Sequence, residues 1–139
     1  MNHKSGQPHW LVIVNPNAGN GKGKKDWEKI SSALKRNNLS FIVKFTSARG
    51  DAIHYSCEAI ADGFRKIITV GGDGTLNEVI NGVFLSTECA ASEITLALIP
   101  VGTGNDWGRM FGIPLNYEKA AEIISEGKSM PHDAGLVSY

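Results

Sequence analysis

The stretch Ile67-Ile68-Thr69-Val70-Gly71-Gly72-Asp73-Gly74-Thr75-Leu76-Asn77-Glu78-Val79-Ile80 decides how the chain is read. Its first four residues are apolar or β-branched without alternation, as in a short strand buried on both faces of a parallel sheet. Its last residues, continued by Val83 and Phe84, recur at the spacing of one helix face. Between them Gly71-Gly72-Asp73-Gly74 turns the chain. Thr75 and Glu78 stand at capping-box spacing, a hydroxyl followed three residues on by a carboxylate, which predicts a helix whose N-cap is Thr75. Gly-Asp-Gly alone would suit any β-turn. With a strand before it and a capped helix after it, the segment reads as strand, loop, helix.

The same unit recurs on either side. Leu11-Val12-Ile13-Val14 and Leu96-Ala97-Leu98-Ile99 are again short and almost wholly apolar, while Phe41-Ile42-Val43-Lys44-Phe45 carries a lysine and suits a less buried strand. In Lys24 to Asn38 the residues Trp27, Ile30 and Leu34 share one helical face. A second helix opens at Asp51, with Ile53, Cys57, Ile60 and Phe64 inward and Gly63 as its stop. A last one runs from about Asn116 to Glu126, with Tyr117, Ala120, Ala121 and Ile124 inward and Gly127 beyond its end. Strand and helix alternate throughout, so the expected fold is α/β, a three-layer αβα arrangement with a mostly parallel sheet.

Glycine is in excess, 16 of 139 residues, and much of that excess follows strands. Asn15-Pro16-Asn17-Ala18-Gly19-Asn20-Gly21-Lys22-Gly23 follows the first, Gly71-Gly72-Asp73-Gly74-Thr75 the third, and Gly102-Thr103-Gly104-Asn105-Asp106 the last. Ligands of open parallel sheets bind outside the carboxyl ends of the strands, so these loops are expected on one edge. Glycine lets backbone N–H groups approach anionic oxygens, and a helix N-terminus adds its positive end, which together suit a phosphate chain. Asp73 would repel phosphate unless Mg²⁺ lies between them, an ion that takes one or two carboxylates with phosphate oxygens and water. Asn105 and Asp106 offer a further amide and carboxylate. Glu78 keeps two readings, a cap for its own helix or a nucleotide contact. Lys22, Lys24 and Lys25 read first as a solvated helix start, and Trp107, Met110 and Phe111 as core.

The remaining composition sets bounds. A length of 139 residues suits one domain. Fourteen basic and fourteen acidic residues cancel, against the basic excess expected of a nucleic-acid binder. No apolar run reaches membrane-spanning length and Met1 to His9 is polar, so the expected location is cytoplasmic. Cys57 and Cys89 lack metal or redox spacing and are expected as buried free thiols.

Taken together, the motifs resemble the diacylglycerol kinase catalytic-domain family, which includes bacterial lipid kinases, sphingosine kinases and ceramide kinases. The resemblance rests on Val14 to Gly19, on Val70 to Gly82, and on Ile99-Pro100-Val101-Gly102-Thr103-Gly104-Asn105-Asp106, in order and at fitting intervals. It implies the fold of the N-terminal domain of NAD kinases and diacylglycerol kinases, and ATP-dependent phosphorylation of a lipid hydroxyl such as that of diacylglycerol. Carried over, Asn15, Pro16, Asn17, Ala18 and Gly19 would line the nucleotide site, with Thr46 a further ATP contact. Gly71, Gly72, Asp73, Gly74, Thr75, Leu76 and Asn77 would hold the phosphates. Glu78, Gly102, Thr103, Asn105 and Asp106 would complete the pocket, Asp73 would serve catalysis, and Asp133 would begin the family's next segment. Ala18 stands where the family often has serine. The partners implied are ATP, Mg²⁺ and a lipid alcohol, with peripheral membrane contact and a homodimer as compatible arrangements.

Family members usually continue into a β-rich half that carries the proposed general base. Residues 1–139 are therefore expected to be the nucleotide-binding half, poor at lipid turnover alone. An NAD kinase-like enzyme and a non-catalytic nucleotide-binding module are the alternatives.

Overall fold

The computed structural model describes residues 9–102 and 116–127. Thr103, Gly104, Asn105, Asp106, Trp107, Met110, Phe111 and Asp133, each given a role above, lie outside the described residues. Four strands, β1 (Trp10–Val14), β2 (Phe41–Phe45), β3 (Lys66–Gly71) and β4 (Thr95–Pro100), form one sheet. Its order is β2-β1-β3-β4 and all its pairings are parallel, with Val12 between Val43 and Ile68. β1 and β3 are interior strands, which is why their sequences are continuously apolar: every residue of β1 is buried, and all of β3 except Lys66. β2 has a neighbour on one side only, and Ile42, Lys44 and Phe45 are exposed there, as its lysine predicts.

Helices cover both faces. Among the described residues they are α1 (Ala18–Lys25), α2 (Trp27–Arg36), α3 (Asp51–Ala61), α4 (Asp73–Leu85) and α5 (Tyr117–Ser125). Val12, Val14, Ile68, Val70 and Ile99 pack with Ile30, Ala33 and Leu34 of α2 and with Ala120 and Ala121 of α5. On the opposite face Leu11, Ile13 and Ile67 meet Ala52, Ala59 and Ile60 of α3 and Val79 and Val83 of α4. Each large side chain so buried contributes roughly 1.5–3 kcal/mol. The α2–α5 side holds one buried carboxylate, Asp26, which accepts a 2.7 Å hydrogen bond from the Tyr117 hydroxyl. Burial and that carboxylate push the phenol well above its ordinary pKa.

Several sequence expectations are corrected. Lys24 to Asn38 is not one helix: the chain breaks at Asp26 between α1 and α2, and the stretch expected as a loop is largely α1. Gly19, Asn20 and Gly21, all at positive φ, interrupt α1 itself. α3 buries Ala52, Ser56, Ala59 and Ile60, whereas Ile53, Cys57 and Phe64 are half-buried. The cause is close approach to α4, where a Cβ on Gly82 would lie 2.6 Å from the Ile53 carbonyl oxygen and 2.7 Å from Ser56 Cβ. Only small side chains fit that seam. Cys57 sits beside it, donating from Sγ to the Gly82 carbonyl at 3.2 Å, and Cys57 and Cys89 are unpaired and half-buried rather than buried. α4 begins at Asp73, two residues before the expected cap. Its face is Leu76, Val79, Ile80 and Val83, which leaves Phe84, about 100° further round, exposed.

Candidate active site

The carboxyl ends of all four strands open onto one cleft of about 740 Å³. The backbone ladders run past the strands and fix the loop bases: Asn15 N donates to Val70 O, Thr46 N to Val14 O and Val101 N to Gly71 O, at 3.0, 2.9 and 3.0 Å. The Asn15 side chain then serves both neighbours. Its Oδ1 accepts from Asn17 N at 3.0 Å, and its Nδ2 donates to Thr75 Oγ1 at 3.2 Å, tying the first loop to the start of α4.

Two glycine loops touch backbone to backbone. Gly19 (φ +61) and Gly102 (φ +98) face each other so closely that a Cβ on either would stand 2.9 Å from the Cα of the other. Positive φ and this contact both exclude a side chain. Gly23 is equally confined, because a Cβ there would overlap the Asn15 carbonyl oxygen. Gly72 and Gly74 differ: a Cβ on either would meet nothing within 4 Å.

The loop after β2 is held by side chains instead. Asp51 Oδ2 accepts from Ser47 N (2.7 Å), Ala48 N (2.9 Å) and Ser47 Oγ (3.0 Å), and those bonds, the Ser47 amide first, hold its carboxyl below the usual aspartate range. Glu78 Oε1 accepts from Gly50 N at 3.1 Å and Ala52 N at 3.3 Å. The capping box expected at Thr75 and Glu78 is therefore absent. Glu78 caps the neighbouring helix α3, Thr75 lies buried inside the first turn of α4, and the α4 N-cap is Gly72 with no side-chain bond to the helix start. The N-terminus of α4 thus enters the cleft with a glycine N-cap that supplies no side-chain cap, the arrangement that favours an anion.

Of the expected site residues, Asn15, Asn17, Ala18, Gly19, Thr46, Gly72, Gly74, Thr75, Glu78 and Gly102 line the cleft. Pro16, Gly71, Asp73, Leu76 and Asn77 do not. Leu76 is turned into the core with Ile80 and Leu98, Gly71 is buried at the end of β3, and Asn77 is exposed. Asp73, half-buried, is the first residue of α4, between two lining glycines and favourably placed for the helix dipole. Lys22, Lys24 and Lys25 are exposed and stand outside the lining. Asn20, Ser47, Ala48, Arg49, Ala52 and Val101 line the cleft without having been singled out as site residues. The signal for Ser47 to Arg49 was present: Thr46 to Gly50 follows a strand, and the carboxyl-end rule applies to β2 as it does to the others.

The family model described as the diacylglycerol kinase catalytic domain matches residues 9–137. A protein of Bacillus subtilis strain 168 named diacylglycerol kinase is 37% identical over 128 residues, 91% of this chain and 41% of its own length. One from Xanthomonas campestris strain 8004, bearing the name "Probable lipid kinase YegS-like", is 35% identical over 125 residues, 90% of this chain and 40% of its own. The crystal structure of a diacylglycerol kinase from Bacillus anthracis strain Sterne aligns with a TM-score of 0.72 at 36% identity, covering 90% of this chain and 42% of that one. The chain thus spans about 40% of the length of the curated relatives it matches.

Proposed function

The chain belongs to the diacylglycerol kinase catalytic-domain family, and from that premise we propose that it is the nucleotide-binding part of an ATP-dependent lipid kinase. The observation that carries the proposal is the convergence of four strand-end loops on one cleft entered by the uncapped N-terminus of α4. Phosphoryl transfer asks a protein chiefly to position the phosphates and stabilise their charge. In this reading the Gly72–Gly74 turn and the first turn of α4 take the phosphate chain on backbone N–H groups. The Thr46 and Thr75 hydroxyls and the Asn15–Gly19 loop border it, and the Gly19–Gly102 contact closes the cleft wall.

Asp73, the first residue of α4 between the lining glycines Gly72 and Gly74, offers one carboxylate, and Mg²⁺ is an ion that takes one or two carboxylates with waters and phosphate oxygens as its other ligands. Bound there, the ion would offset phosphate charge. Asp73 is the residue we assign to holding it. The lipid acceptor rests on the family and the names of the relatives. Because the chain matches about 40% of their length, the reading is of donor binding first, with slow or absent lipid turnover by these 139 residues alone. A homodimer and peripheral membrane contact belong to the same proposal, and no helix among the described residues is long and apolar enough to cross a membrane.

Isothermal titration of the 139-residue chain with Mg-ATP tests donor binding. Saturable binding at one site, weakened by Thr46→Ala, is expected. No heat, together with no rise in the unfolding temperature at millimolar nucleotide, overturns the reading.

A further inference from the structure

Among the helix N-termini at the cleft, those of α3 and α4 are not equivalent. That of α3 is already answered from within the protein, since Glu78 accepts from Gly50 N and Ala52 N. That of α4 has no side-chain cap. An anion in the cleft can therefore be met by the start of α4, and any full positive charge on the lining must come from a side chain. Among the described residues lining the cleft there is one cation, Arg49, and one carboxylate, Glu78, whose Oε1 is engaged as above.

Arg49 is exposed, and its guanidinium makes no hydrogen bond or ion pair to another described residue. The loop that carries it is nonetheless held on both sides. Asp51 Oδ2 fixes Ser47 and Ala48 before it, and Glu78 fixes Gly50 after it. Arg49 has no partner among the described residues and stands on a loop held by five hydrogen bonds, four of them from backbone N–H groups, so its backbone is preorganised to present the side chain to a ligand from outside. Arginine also presents a fork that matches two phosphate oxygens.

Resting on the nucleotide reading above, we propose that Arg49 is a phosphate-binding residue of the cleft, acting together with the N-terminus of α4. Asp51 and Glu78 act as positioning residues for it. The specificity it confers is for the phosphorylated form of the ligand over the bare nucleoside.

The test is titration of the wild-type chain, Arg49→Gln and Arg49→Lys with Mg-ATP and with adenosine, at low and at high ionic strength. Arg49 holds no part of the fold, so both variants are expected to melt as the wild type does. Arg49→Gln should bind Mg-ATP about tenfold or more weakly, as removal of a charge-assisted bond implies. Adenosine affinity should stay within about twofold, Arg49→Lys should recover part of the loss, and the salt sensitivity of ATP binding should fall in Arg49→Gln. Equal ATP affinity in Arg49→Gln and wild type overturns the assignment while the nucleotide reading stands. Equal loss of ATP and adenosine overturns it too, since the residue would then act on the sugar, the base or the loop. Failure of the wild type to bind either ligand overturns the nucleotide reading and this assignment with it.

Discussion

The glycine loop after β1 and the glycine turn after β3 look alike in sequence and are built for opposite reasons. In the first, Gly19 and Gly23 are demanded by the protein itself: Gly19 is left-handed and presses on Gly102, and Gly23 lies against the carbonyl of Asn15. In the second, Gly72 and Gly74 have ordinary backbone and open space where a Cβ would be. Nothing in the fold excludes alanine there. The difference teaches that one set of glycines is required by packing within the protein, while the other leaves open space at the cleft that the described fold does not require.

Substitutions can break that comparison. Gly23→Ala should have the largest effect, because the new methyl overlaps backbone that cannot rotate away as a side chain could. A loss of about 3 kcal/mol or more is expected, beyond the usual overpacking range. Urea unfolding of the variant reads it directly, and an unchanged midpoint would show that the first loop is not crowded. Gly102→Ala comes next. It combines a positive φ with a 2.9 Å approach to Gly19 Cα, which suggests a loss of about 2 kcal/mol from strain and contact together. Because the shift needed to relieve it would part the two loops lining the cleft, Mg-ATP affinity should fall with stability in this variant.

Gly74→Ala separates the two regions most sharply, with a smaller effect and of a different kind. Gly74 lies in the first turn of α4, where alanine is favoured over glycine by roughly 0.5–1 kcal/mol. Stability should hold or rise slightly. Mg-ATP affinity should drop about tenfold, since the methyl intrudes where backbone N–H groups would meet phosphate. Thermal unfolding with and without Mg-ATP gives both numbers. A Gly74→Ala protein that keeps wild-type affinity would erase the distinction between the two glycine regions.

Much of this was legible in the sequence, for identifiable reasons. Continuous apolar runs marked β1 and β3, because strands buried on both faces have no polar side to show, and the lysine of Phe41-Ile42-Val43-Lys44-Phe45 marked β2 as less buried; β4 has a similar apolar run yet lies at the other edge of the sheet among the described residues, with Thr95, Leu96 and Ala97 half-buried. Asn116 and Gly127 framed α5, and Asn116 Oδ1 does cap it, accepting from Lys119 N at 3.0 Å. Less legible were features set by contacts distant in sequence. Periodicity put Ile53 and Cys57 inward, but Gly82, 25 residues after Cys57, brings α4 so near that Ala52 and Ser56 take the seam instead. The Thr75–Glu78 spacing fitted a capping box, yet both side chains are used across the cleft, Thr75 by Asn15 and Glu78 by Gly50 and Ala52. The carboxyl-end rule located the site, and it also covered the loop bearing Arg49, which has no glycine cluster to advertise it.

That β2 loop supplies the last and smallest test, because it keeps its shape by a third means. Neither crowded glycine nor bare backbone holds Ser47 and Ala48 in place; a carboxylate does, and a carboxylate titrates. Bonds from the Ser47 amide, the Ala48 amide and the Ser47 hydroxyl hold the folded-state pKa of Asp51 below the ordinary aspartate value. The native state therefore binds this proton less readily than the unfolded chain does. Its contribution to stability is present in full above the unfolded pKa and is lost as pH falls through the lower folded value. Asp51→Asn should accordingly be less stable than the wild type at pH 7, and the gap should narrow below about pH 4 as both chains become neutral at this position. Gly19 and Gly102 meet through backbone atoms, which do not titrate, so the difference between wild type and Gly102→Ala should stay flat over the same range. Melting temperatures of the three proteins at pH 7 and pH 3 compare the two behaviours. A gap for Asp51→Asn as constant with pH as that for Gly102→Ala would mean that the carboxylate's charge does not hold the β2 loop.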